Sequence, residues 1–243
     1  MPHYLKAENL KCKGTFAKKL VLIAPAVMIL LALLSGRYFV ANGYNWWYVM
    51  ILPGLITLLS ALVNQVEEKK LRYRAVFVLP VNLKRIWISK IFLIALYAAA
   101  AGLIHLAGIL LGMAVYNTSS GIGFRQVIEA TSILILTSLW QIPLCLFLSK
   151  KWGLMPTVFL NLCGGITLEI LSANKAWWWA CPYGWSARLM CPVLGVLPEG
   201  LLAKPGDFLL DTGVIPVGIV LSAALFALLL FLTAQWFPKQ EVK

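Results

Sequence analysis

Six apolar runs, at 20–41, 46–63, 91–116, 127–148, 152–171 and 214–237, each approach the ~20 residues that carry a helix across a bilayer. Hydrocarbon offers no partner to a bare N–H or C=O, so a chain made of such runs closes its backbone bonds within each run, as α-helix. The expected fold is an all-α polytopic membrane protein, a single transmembrane domain over 1–243. With 61% hydrophobic residues and a mean hydropathy of +0.85, a soluble domain is excluded. The first run starts behind a basic segment, as a signal peptide does. No small-residue cleavage site is evident and five more runs follow, so it reads as a retained helix.

Charge fixes the orientation. With both termini cytoplasmic, the inner side holds sixteen of the 21 Lys and Arg against four acids, and the outer side holds five against five. Basic loops stay inside, and the net charge of +12 needs no nucleic acid as partner. In 1–19, Leu5, Cys12, Phe16 and Leu20 recur at helical spacing, with Lys6, Lys11, Lys13, Lys18 and Lys19 at other positions. That pattern predicts an interfacial helix in the headgroup plane.

The long polar interval at 66–90 carries Glu67, Glu68, Lys69, Lys70, Arg72, Arg74, Lys84, Arg85 and Lys90. It lies in water, because a Lys or Arg at a helix centre costs roughly 2.5–3.5 kcal/mol on insertion scales. Yet Val76, Phe77, Val78, Leu79, Pro80, Val81, Ile86, Trp87 and Ile88 are too apolar to stay bare. The interval therefore reads as a docking surface for a partner, with Arg74, Lys84 and Arg85 as a charged rim. Glu67 and Glu68 leave a helix at its C-terminal end, where their charge opposes the macrodipole; cations such as Arg72 or Lys90 would offset them. Their expected role is structural and coupling.

The longest outer segment, 172–213, is aromatic and apolar but broken by Pro182, Pro192 and Pro198. No piece of it can span, so short half-helices re-entering the outer leaflet are expected, with Trp177, Trp178, Trp179 and Trp185 at the interface. Glu129 and Glu169, near the outer ends of spans, join these tryptophans, Arg188 and Glu199 as candidates for a substrate path. Cys181 and Cys191 fall on the same side, close enough in sequence for a disulfide. Pro25, Pro53, Pro143, Pro156 and Pro216 lie inside predicted spans and should bend them. Gly102, Gly108 and Gly112, with the alanines before them, give the third span a small-residue face for close helix packing.

Catalytic signatures are missing. There is no GxxxxGK[ST] phosphate loop and no GxSxG, no Cys/His spacing suits a metal, and the histidines are His3 and His105. No catalytic residue, metal or cofactor of the chain's own is expected. His105, in mid-span, reads as a hydrogen-bonding partner of a neighbouring helix.

Two resemblances rest on 66–90. Glu67, Glu68 and Arg72 spell EExxxR, which is similar to the first motif of glutamic intramembrane proteases. The histidine motifs that complete that site are absent, since Ala101 stands four residues before His105 and no histidine follows. More of the chain resembles ABC-type-2 exporter permeases: the acid pair leaving the second span, the apolar patch ending in Leu79-Pro80-Val81, then Lys84-Arg85 and Ser89-Lys90 entering the third, like a coupling helix. Within that superfamily 7–25 and 181–200 resemble lantibiotic-protection permeases of the MutE/EpiE type, although Glu199 stands where Asn is the commoner residue. The resemblance implies a permease subunit in a bacterial plasma membrane, paired with a second permease, hetero- or homodimeric, and with two copies of a separate ATPase that binds ATP and Mg. It implies a cationic peptide as cargo. An exporter of another amphipathic substrate, a drug, lipid or polysaccharide, would share these features.

Overall fold

The computed structural model describes residues 2–71, 82–115 and 121–240, the side chains of 67–71 excepted. Helix α1 (Pro2–Lys11) is followed by a turn in which Thr15 Oγ1 donates to Cys12 O (2.7 Å), and then by α2 (Phe16–Leu33). A turn through Gly36, at φ +55, leads into α3 (Phe39–Trp46), a π turn (Trp47–Ile51) and α4 (Leu52–Leu71). Asn82 opens α5 (Leu83–Val115), its Oδ1 accepting from Arg85 N at 3.1 Å and so filling one of the unpaired N–H groups of the first turn. Helices α6 (Phe124–Ser138) and α7 (Gln141–Trp152) form one apolar stretch bent by 40°. Gly153, at φ +86, ends it, and α8 (Leu154–Val158), a second π turn (Phe159–Cys163) and α9 (Gly164–Ser172) follow. Helix α10 (Gly184–Leu194) and α11 (Val214–Trp236), closed by the turn Phe237–Lys239, complete the chain.

Among the described residues the regular structure is helical, with one isolated antiparallel bridge between Val196 and Leu202. Five stretches are long and apolar enough to cross a membrane, and the bent pair makes a sixth. The expected all-α, six-helix membrane fold is what the chain adopts.

The boundaries differ from the sequence reading in the first hairpin. The first crossing runs from Phe16 to Leu33 rather than over 20–41, and the second takes in Gly36–Val66. Phe39, Val40 and Ala41 look like the end of one apolar run, but the glycine turn precedes them and all three are buried at the start of the next helix. Hydropathy alone cannot register a tight turn between two apolar segments.

The prolines divide. Pro143 would clash with the carbonyl four residues back, at Leu139, and the fourth crossing bends at that point. Pro53 follows the first π turn, in which Leu52 N reaches Trp47 O, so the strain is taken up before it. Pro156 and Pro216 stand in the first turns of α8 and α11, where an N–H has no intrahelical partner and a proline costs no hydrogen bond. Pro25 lies within α2.

Close packing along α5 is as expected. A Cβ at Gly108 would meet Ile29 of α2, one at Gly112 would meet the Phe39 ring of α3, and one at Gly102 would press on Ile135 of α6. In a bilayer, where lipid tails are as apolar as Leu, such backbone approach and interhelical hydrogen bonds supply most of the cohesion. Tyr44 OH bonds Val127 O and Thr131 Oγ1, both at 2.7 Å, joining α3 to α6. Asn64 Nδ2 reaches Leu146 O (2.9 Å) and Ser149 Oγ (2.7 Å), joining α4 to α7.

Helix α1 does more than float. It packs on α5, with Tyr97 OH donating to Asn9 Oδ1 at 2.7 Å and Cys12 buried. Its buried face includes Glu8, ion-paired to Lys11 at 2.6 Å, while Phe16 of the predicted apolar stripe is exposed.

Candidate functional site

Three of the irregular places in the helices meet at one polar cluster. Asn161, in the second π turn and fully buried, donates from Nδ2 to Thr57 Oγ1 (2.9 Å) on α4 and to Gln141 Oε1 (3.2 Å) at the bend of the fourth crossing. The same amide reaches Pro53 O at 3.4 Å, just beyond the first π turn, and Thr57 also donates to Pro53 O at 2.8 Å. Tyr183, ahead of α10, donates its hydroxyl to Asn161 Oδ1 at 3.1 Å. The second, fourth and fifth crossings and the segment between the fifth and sixth thus share one side chain. Each bond is worth about 0.5–1.5 kcal/mol net, so the cluster can hold the bundle and still release it. π turns concentrate at functional sites because a wide turn frees backbone groups and shifts side chains out of register.

Above this cluster α10 is enclosed on nearly every side. All its residues but Pro192 are buried, against α6, α9 and α11, and Gly195 in left-handed conformation closes it. Trp185 is buried, with Nε1 donating to Trp179 O at 3.0 Å and its ring edge-on to Trp140. Arg188 is buried as well, 4% exposed; Nη1 donates to Leu209 O at 2.6 Å and the guanidinium lies 5.9 Å from the Trp178 ring.

On the opposite end, Trp87 near the start of α5 stacks on Phe237 at 4.5 Å and meets Trp236 edge to face. Lys90 is fully buried beside them, its Nζ 5.7 Å from the Phe237 ring. The stem that leads from 66–90 into the membrane is therefore clamped to the end of the last crossing.

A family model described as ABC-2 family transporter protein matches residues 4–167, about two thirds of the chain. The chain belongs to that family. No curated protein and no solved structure matches it. This ABC-2 chain is thus a multi-pass permease subunit of an ABC exporter, a transporter component that works with an ABC ATPase.

The permease sorts the sequence-predicted residues into separate groups. Arg72, Arg74, Phe77, Leu79 and Pro80 lie outside the described residues, and for Glu67 and Glu68 only their place on α4 is described. Lys84 and Arg85 are exposed at the start of α5. Lys90, expected in the polar interval, is instead buried. Ile86 and Trp87, expected to need a partner's cover, are both buried within the chain, and over Trp87 the cover is the aromatic pair Trp236 and Phe237 at the end of α11.

The outer candidates split too. Glu129 and Glu199 are exposed, Trp177 and Trp179 are about half exposed, and Trp178 is half-buried under Arg188. Glu169 is buried on α9, with no hydrogen-bond partner for Oε1 among the described residues. The expected short helix in 172–213 is α10, 11 residues long and packed inside the bundle; the placement of all four tryptophans at the interface is corrected, since Trp185 is part of the core. The disulfide is corrected as well. Cys181 and Cys191 are free thiols, bonded to Leu168 O and Ala187 O. Cys181 precedes α10 and Cys191 lies two turns into it, and at 1.5 Å rise per residue a rigid helix carries them past the roughly 7 Å that a bridge allows.

His105 is fully buried and committed: one ring nitrogen bonds Gly43 O at 3.2 Å, and the ring stacks on Trp47 at 4.4 Å and meets Tyr44 edge-on. The Asn161 cluster itself was missed from sequence. Asn161 and Gln141 are among the few amides inside predicted spans, which is the signal that could have found them.

Proposed function

We propose that this permease expels lantibiotic peptides from the membrane of the cell that makes them, with its termini in the cytoplasm, a second permease beside it and two copies of the ATPase beneath. The observation that carries the reading is the outer segment: Trp177 and Trp179 stand exposed on a base anchored by Trp185 and Arg188. Exposed indoles suit the bilayer interface, where a cationic amphipathic peptide also partitions. Glu129 and Glu199, exposed, and Glu169, buried with no partner for Oε1 among the described residues, offer carboxyl groups to the peptide's ammonium groups.

Closure of the ATPase dimer on ATP and Mg moves 66–90. The stem at Trp87 and Lys90 passes that motion to Phe237 and hence to α11, which packs against α6 and α7. Helices α6 and α7 meet at the bend beside Gln141, and a shift there strains the bonds to Asn161 and so the hold on Tyr183. The outer segment then loosens and the peptide leaves outward. The chain itself breaks no covalent bond.

The test is reconstitution of protection. The chain is expressed with its ATPase and second permease in a lantibiotic-sensitive strain, against the same set carrying a hydrolysis-dead ATPase. Protection and peptide appearing in the medium with the active set alone support the reading. Assembly and ATP hydrolysis without protection against any lantibiotic tried would overturn it and leave an exporter of another amphipathic substrate.

A further inference from the structure

Between α7 and α11 a groove of about 270 Å³ is lined by Leu144, Phe147, Leu229, Leu232, Thr233 and Trp236. The Thr233 hydroxyl is turned to Leu229 O at 2.7 Å, so the lining presents almost only hydrocarbon and indole. The volume is below the roughly 300–1,000 Å³ of a pocket for a drug-sized molecule, and suits a slim chain. Phe147 and Trp236 meet edge to face at 4.7 Å near one end. The fourth and sixth crossings run in the same direction, so one helical turn past that pair each presents a lysine. On α7 it is Lys151, exposed, with Nζ 5.7 Å from the Phe147 ring and 5.3 Å from the Trp152 ring. After α11 it is Lys239, also exposed, and Lys150 shares the last turn of α7. Neither helix carries an Asp or Glu.

We propose that this groove binds one anionic phospholipid, an acyl chain lying along Leu144, Phe147, Leu229 and Leu232 and the phosphate held at Lys151 and Lys239. The charge complementarity commits the occupant. Apolar lining alone would take any lipid, whereas the exposed ammonium groups of Lys151 and Lys239 at the mouth favour a negative headgroup. The leaflet is the one that the basic loops face, where polytopic proteins and anionic lipids meet. The alternative is that these lysines only record topology and offset two helix C-termini. This inference is independent of the exported cargo.

Trp236 lines the groove and serves as the probe. The purified permease is placed in bilayers holding equal mole fractions of brominated phosphatidylglycerol or brominated phosphatidylcholine, and the quenching due to Trp236 is isolated by subtracting the Trp236→Phe variant. The expected result is selective quenching by phosphatidylglycerol, with a relative affinity of roughly thirtyfold, the weight two lysines carry beside an anionic surface. Lys151→Ala with Lys239→Ala should abolish the preference, and Leu232→Phe, which fills the groove, should reduce quenching by both lipids. Equal quenching by the two lipids in the wild type overturns the proposal without any variant having to fold, and so does a preference that survives loss of both lysines.

Discussion

The Tyr183 hydroxyl donates to Asn161 Oδ1 across 3.1 Å, and that one bond ties the outer segment to the π turn of the fifth crossing. Asn161 in turn holds Thr57 and Gln141. Replacing the two ends of the bond should therefore have unequal effects. Tyr183→Phe removes a single bond and should cost about 0.5–1.5 kcal/mol. Asn161→Leu leaves buried Gln141 and the partly buried Tyr183 hydroxyl without this partner and should cost more, up to about 1–3 kcal/mol for each group stranded. Thermal unfolding of both variants in detergent measures this, and equal losses would show that the cluster does not act through Asn161.

Glycines on α4 and α5 should respond differently to the same methyl group. Gly112→Ala drives a Cβ into the Phe39 ring, which is fully buried and cannot swing aside, and overpacking of this kind costs about 1–3 kcal/mol. At Gly54 the nearest atom to a Cβ would be Leu162 Cδ1 at 3.8 Å, an ordinary contact. Gly54→Ala should keep the wild-type melting temperature in a side-by-side scan while Gly112→Ala lowers it.

Burial, and then the Glu8 carboxylate, push the Cys12 thiol from an ordinary 9.0 up to about 11, with Lys18, Lys90 and Lys11 working the other way. Below pH 9 the thiol is protonated whether or not α1 is docked. Between pH 9 and about 11 the undocked thiol ionises first, so the docked state loses stability as pH rises through that window. The difference in melting temperature between wild type and Cys12→Ala should narrow or change sign from pH 8 to pH 11. A difference constant over that range would rule out the thiol as the titrating group.

Cys181 and Cys191 should both be found as thiols. Protein denatured under alkylating reagent without prior reduction should carry label on each, by mass spectrometry. Cys163, the exposed cysteine, should be labelled in the folded protein ahead of buried Cys145.

The coupling prediction is the one that rests on sequence. Phe77→Asp places a charge in the apolar patch that is expected to enter the ATPase. Membrane insertion and expression should be unchanged, and ATP hydrolysis should continue without export. Full protection in that variant would remove Phe77 from the docking surface.

What the sequence determined by itself was the class: apolar runs that must be helices because lipid cannot satisfy a backbone, and the small face of α5. The glycine pattern was legible because close approach leaves a spacing in the residues themselves. Tertiary structure alone decided where the first crossing ends, that α10 lies inside the bundle, and that Trp87 and Lys90 are covered by Trp236 and Phe237. Each of these depends on partners distant in sequence, and an apolar side chain reads the same whether lipid or protein will surround it. The Asn161 cluster shows the same limit, since its members come from positions 53, 57, 141, 161 and 183, and no periodicity links them before the helices are packed.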